Sequence, residues 1–185
     1  MNLWKTFLKL AGWKFDVSVP LPDKCVICVA PHTSNWDFIL GLAAYRSLGR
    51  KANFLIKDFW FFWPMKYLIS GLGGIPVGRG GRAGKTSLTQ QVIDRFNESS
   101  YLNLAVTPEG TRSYTSQWKT GFLYIAVGAG VPVLLASIDY GAKHISISRT
   151  FHPSGDIERD LEEVRNFYRT TLSPTAARYP DKFEA

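Results

Sequence analysis

The chain has 185 residues, 45% hydrophobic and 20% charged, with a net charge of +7 and a pI near 9.5. That balance excludes a disordered chain and fits one domain with its own core. The positive charge calls for an anionic partner: nucleic acid, anionic lipid or a phosphorylated small molecule. It belongs to the body of the chain, because residues 1–155 hold 17 Lys and Arg against 8 Asp and Glu, whereas 156–185 hold 5 against 7.

Residues 3–14 carry Leu3, Trp4, Phe7, Leu8, Leu10 and Ala11 with Lys5, Lys9 and Lys14 among them, the pattern of a short basic amphipathic helix. Such a helix either lies in a lipid interface or packs on its own domain. It lacks the long apolar run and cleavage site of a signal peptide. Pro20 and Pro22 mark a connector. Strands are then predicted at 25–30, 53–57, 102–107, 133–139 and 144–149, and helices at 36–47, 59–69, 85–97, 120–127 and 157–172. This alternation predicts an α/β fold, a single domain with a mainly parallel central sheet flanked by helices.

Three segments admit a second reading. Cys25 and Cys28 form a C-x-x-C, but no second pair exists and valines and isoleucine surround them, so they read as core thiols on opposite faces of a strand. Residues 121–138 are uncharged and almost long enough to span a bilayer. Gly128, Gly130 and Pro132 divide them into a short helix and a buried strand, and no membrane span is expected. Phe59, Trp60, Phe61, Phe62 and Trp63 form one run that either meets lipid or lines the core or an apolar groove.

The unusual polar residues fall where strands end, the place where ligands bind in open α/β sheets. His32 and Asp37 follow the first predicted strand as H-x-x-x-x-D, and the carboxylate can fold back to fix the imidazole tautomer. Ser34 and Asp37 also fit a helix capping box, so this spacing alone leaves both readings open. After a later strand stand Glu109, Gly110, Thr111, Arg112 and Ser113: a carboxylate, a turn, two hydroxyls and a guanidinium suited to phosphate. Arg79, Arg82 and Lys85 add charge in a glycine-rich loop that is not a P-loop.

Four blocks in this order, residues 32–37, 74–79, 108–113 and 131–133, resemble the lysophosphatidate (1-acylglycerol-3-phosphate) acyltransferase family of glycerolipid acyltransferases. The resemblance implies His32 as general base, Asp37 as its orienting carboxylate, and Arg79 as the arginine on the acceptor phosphate. It implies Glu109, Gly110, Thr111 and Arg112 as the block shaping the acceptor pocket. The implied donor is acyl-CoA or acyl carrier protein and the acceptor a lysophospholipid, with no metal and no bound cofactor. The implied setting is the cytoplasmic face of a membrane, as a peripheral protein. The division expected is a membrane-surface helix at 1–16, the acyltransferase domain at 17–172 and a tail at 173–185. Two departures stand near the acceptor: Pro31 where the family often has Asn, and Gly78 where an acidic residue often precedes the arginine.

Other readings remain at this stage: acyl transfer to another lysolipid or membrane alcohol, a basic lipid- or nucleic-acid-binding protein, or a hydrolase. The aromatics are bunched instead of interleaved with Lys and Arg, which disfavours nucleic acid. A hydrolase of the common type would need a G-x-S-x-G elbow that the chain lacks.

Overall fold

The computed structural model describes residues 2–78, 87–113 and 115–172. Strands β1 (Lys14–Val17), β7 (His144–Phe151), β6 (Val133–Asp139), β2 (Lys24–Val29) and β5 (Leu102–Val106) lie side by side in that order. A second pair, β3 (Phe54–Lys57) and β4 (Gly74–Val77), continues the sheet past β5. The join is Asn53, whose N–H donates to Asn103 O at 2.7 Å and whose carbonyl accepts from Ala105 N at 2.8 Å. Pairing is parallel throughout except between β6 and β7. The apolar runs of β2 and β6 are buried on both faces, as central parallel strands require.

Helices cover both faces of this sheet. Leu8 of α1 (Leu3–Leu10) and Leu40, Ala43 and Ala44 of α2 (Trp36–Ser47) pack on Ile138 and Ile145 on one side. α3 (Met65–Leu72) joins them there: Ile69 lies against the β4 glycine Gly74, close to the Phe54 ring. On the opposite face α4 (Leu88–Glu98), α5 (Gly121–Ala129) and α6 (Ile157–Thr171) bury Phe96, Leu123, Val164 and Tyr168 against Val26, Leu104, Val133 and Leu135. Tyr168 also pins α6 to two strands, its phenol donating to Cys28 O at 2.7 Å and Ala136 O at 3.1 Å.

The architecture is the α/β one read from the sequence, with the helix at 36–47 and the strand at 133–139 in place. Cys25 and Cys28 are buried on opposite faces, and burial pushes both thiols up to about 12. The segment 121–138 is α5 followed by β6; among the described residues no helix is long and apolar enough to cross a membrane.

Three local expectations need correction. The helix expected at 59–69 is a single 3-10 turn, Asp58–Trp60, followed by α3 from Met65, because Pro64 removes an N–H and disfavours helical backbone at Trp63. Residues 74–77, read as loop, form β4, an end strand where Pro76 is tolerated. The N-terminal helix stops at Leu10, since Gly12 turns with φ +76°, and Lys14–Val17 joins the sheet as β1.

α1 faces two ways. Leu8 is buried and the Asn2 side chain caps the helix while donating to Ser47 O at 2.7 Å, tying its start to the end of α2. Leu3, Lys5, Lys9 and Leu10 are exposed.

Candidate active site

The site forms where β2 and β5 end. β2 runs into the turn Pro31-His32-Thr33-Ser34-Asn35, and Asp37 sits in the first turn of α2. Its carboxylate folds back: Oδ2 lies 2.9 Å from His32 Nδ1 and accepts N–H bonds from Thr33 at 2.8 Å and Ser34 at 3.0 Å. Tyr140, one residue past β6, donates its phenol to Oδ1. The capping box is only half formed, with Asn35 at the N-cap and Ser34 Oγ accepting from Trp36 N at 3.2 Å, but its Asp37 half, Oδ2 on the Ser34 N–H, coexists with the histidine contact. The same oxygen closes the helix start and faces the imidazole.

Burial acts to raise the Asp37 pKa, but the hydrogen bonds from His32, Tyr140, Ser34 and Thr33 prevail and hold it below the usual carboxylate range. An ionised carboxylate only accepts, so His32 Nδ1 carries the hydrogen, and in the neutral imidazole the lone pair falls on Nε2. The histidine side chain keeps 21% exposure while Asp37 is closed off. That is the geometry of a general base with a fixed tautomer.

The segment after β5 braces this loop from behind. Both carboxylate oxygens of buried Glu109 accept from the His32 backbone N–H at 3.1 Å. Gly110 takes φ +63°, a turn glycine made for, and its N–H donates to Thr107 O at 3.1 Å. Thr111 Oγ1 accepts from Ser113 N at 3.2 Å. Arg112 is exposed, and its guanidinium donates to Asn35 Oδ1 at 2.6 Å, in the same loop as His32.

Beneath α2 the site opens into a mainly apolar cavity of about 500 Å³. His32, Asp37 and Asn35 stand at one part of its wall. Ile27, Val29, Phe38, Phe54, Leu55 and Ile147 line the rest, and the small residues Gly41, Ala44, Ala52, Ala105 and Ala136 make its room.

The sequence profile of the Acyltransferase family matches residues 16–138, about two thirds of the chain and the whole of this loop cluster except Tyr140. The chain belongs to the acyltransferase family. Among curated acyltransferases it is 28% identical to the probable 1-acyl-sn-glycerol-3-phosphate acyltransferase of Mycoplasma pneumoniae, over 94% of this chain and 67% of that protein. It is 25% identical to the 1-acyl-sn-glycerol-3-phosphate acyltransferase of Salmonella typhimurium over 66% of this chain, and spans 50% of that protein's length. Its fold is that of the 1-acyl-sn-glycerophosphate (LPA) acyltransferase PlsC from Thermotoga maritima, with a TM-score of 0.61 at 19% identity, covering 98% of this chain and 77% of that one.

In this acyltransferase the structure brings together His32, Asp37, Glu109, Gly110, Thr111 and Arg112 from two loops. Glu109 contacts the backbone of the histidine loop. Arg79, with Arg82 and Lys85, lies outside the described residues. At the neighbouring Gly78, an added Cβ would lie 2.9 Å from Asp58 Oδ2, so a carboxylate from the turn after β3 fills the space beside this glycine. Among the described residues no group of three His, Cys, Asp or Glu side chains comes together as metal donors. Tyr140 and Asn35 were not singled out from the sequence. The available signal for Tyr140 was its position at a strand end.

Proposed function

We propose that the protein transfers a fatty acyl group from acyl-CoA or acyl carrier protein to the hydroxyl of a lysophosphatidate-like glycerolipid, as a peripheral protein at the cytoplasmic face of a membrane. The observation that carries this reading is a tautomer-fixed histidine at the wall of a lipid-sized apolar cavity. The relatives from Mycoplasma pneumoniae and Salmonella typhimurium are named for the same acceptor.

A thioester carbonyl is already activated, so no enzyme nucleophile is needed. The acceptor oxygen attacks the carbonyl carbon as His32 Nε2 takes its proton. The tetrahedral intermediate then collapses with cleavage of the C–S bond, and the thiolate recovers the proton from His32. Asp37 stabilises the transient imidazolium. The acyl chain lies in the cavity under α2, where each buried methylene contributes about 0.8 kcal/mol. Arg112 supplies charge for the acceptor phosphate from the exposed side of the loop, and Arg79 is proposed to join it.

The lipid source is argued from the surface. Phe59, Trp60, Phe62 and Trp63 are exposed on the β3–α3 connection and Tyr67 and Leu68 on α3, with Lys57 at the end of β3 and Lys66 in α3 beside them. Trp36 and Phe38 are exposed at the start of α2, beside the base. Rings and lysines in this mixture suit an anionic interface.

The deciding experiment incubates the protein with acyl-CoA and with acyl carrier protein against a panel of lysolipids, read by mass spectrometry. The expected product is phosphatidate from lysophosphatidate, absent with His32→Ala. Equal acylation of a phosphate-free acceptor would overturn the acceptor assignment.

A further inference from the structure

We propose that Tyr140 is a positioning residue for the base, its phenol holding one oxygen of Asp37 and so setting how the carboxylate engages His32. The proposal rests on the reading of His32 as the base and adds a residue outside the matched family region.

Asp37 is 5% exposed, so both of its oxygens need donors from the protein. The three donors to Oδ2 come from the adjoining loop: His32, Thr33 and Ser34. The donor to Oδ1 comes from 103 residues away, the Tyr140 phenol. With the far oxygen anchored, the carboxylate plane is fixed and Oδ2 stays aimed at Nδ1. A charge-assisted phenol bond also draws electron density from the side facing histidine.

The phenol is itself held in place. Trp13 meets the Tyr140 ring edge-on, centroids 5.3 Å apart and planes at 86°. Asp139, the preceding residue, accepts from Ala142 N at 2.9 Å and closes the turn that follows β6. Among the described residues, Glu109 on the His32 N–H and Arg112 on Asn35 are charged groups that also reach the histidine loop.

Without the phenol the carboxylate becomes more basic and holds the imidazolium more firmly, so His32 keeps its proton to higher pH. The test is Tyr140→Phe in the full chain, with the three histidines titrated by NMR and the pH profile of kcat/KM measured beside a thermal melt. The His32 midpoint and the acidic limb of kcat/KM should both move up by about half a pH unit, while His144 and His152 stay in place. kcat should fall about 3- to 30-fold, less than for loss of the base itself, with little change in acceptor KM. Trp13→Leu, which loosens the ring without touching Asp37, should move His32 in the same direction by less.

A folded Tyr140→Phe protein with an unmoved His32 midpoint would overturn the proposal, whatever its melting temperature. So would an unmoved midpoint in Trp13→Leu if Tyr140→Phe failed to fold. A shifted His32 in a protein inert toward every lysolipid would keep the positioning role and overturn only the substrate assignment.

Discussion

At His32 the proposed chemistry depends on one nitrogen, and the Asp37 carboxylate at Nδ1 selects it. Replacing His32 with alanine removes the base but little core, so transfer should fall by about 100- to 10,000-fold with the melting temperature nearly unchanged. Asp37→Asn replaces an acceptor of four hydrogen bonds by a half-donor amide, and should lose both activity and stability. Its pH signature follows from the lowered Asp37 pKa. A depressed carboxylate contributes stability that is fully present above its ordinary value and is lost as pH falls through the lower folded value. Urea denaturation across the acid range should therefore show a shallower loss in Asp37→Asn than in the parent. The pair was legible in the sequence because its members stand five residues apart. Glu109 was legible as a site residue but not as the acceptor of the His32 N–H 77 residues away, and Tyr140, 103 residues from Asp37, was not read at all, because no local spacing records either contact.

Among the elements, α2 does most to shape the site, carrying Asp37 at its start and leaving space along its inner side. Gly41 lines the cavity, and a Cβ added there meets nothing within 4 Å. Gly41→Leu should consequently fold normally yet discriminate against long acyl donors, seen as a fall in kcat/KM that steepens with chain length. The β3–α3 connection tests the surface reading. Trp60→Ser with Trp63→Ser should weaken flotation with anionic vesicles and leave the melting temperature alone, because Trp63 is 76% exposed. Unchanged flotation with a lowered melting temperature would return those rings to the core. Tyr168→Phe should cost about 1–3 kcal/mol by removing the buried phenol that bonds the carbonyls of Cys28 and Ala136. Elements with long, consistent patterns, such as 36–47 and 133–139, were readable from sequence. β1 and β4 were not: each has four residues, and their pairing depends on neighbours far along the chain.

For the whole molecule, the two layers of helices leave Cys25 and Cys28 sealed in the sheet with thiols pushed up to about 12. Thiol reagents should modify them only as fast as the sheet opens, so labelling kinetics report global unfolding. The hydrogen bonds that hold the base carry a different consequence, one of timing. The loop of residues 32–37 gains its full set of hydrogen bonds only once the chain beyond β5 brings Glu109 and the chain beyond β6 brings Tyr140. Contacts this distant in sequence are closed late, after local helices have formed, because loop closure must precede them. In refolding from denaturant, helical circular dichroism should return before acyl transfer does. During synthesis His32 therefore lacks its full set of supports until residue 140 has left the ribosome, so a partly made chain holds the histidine without the finished site.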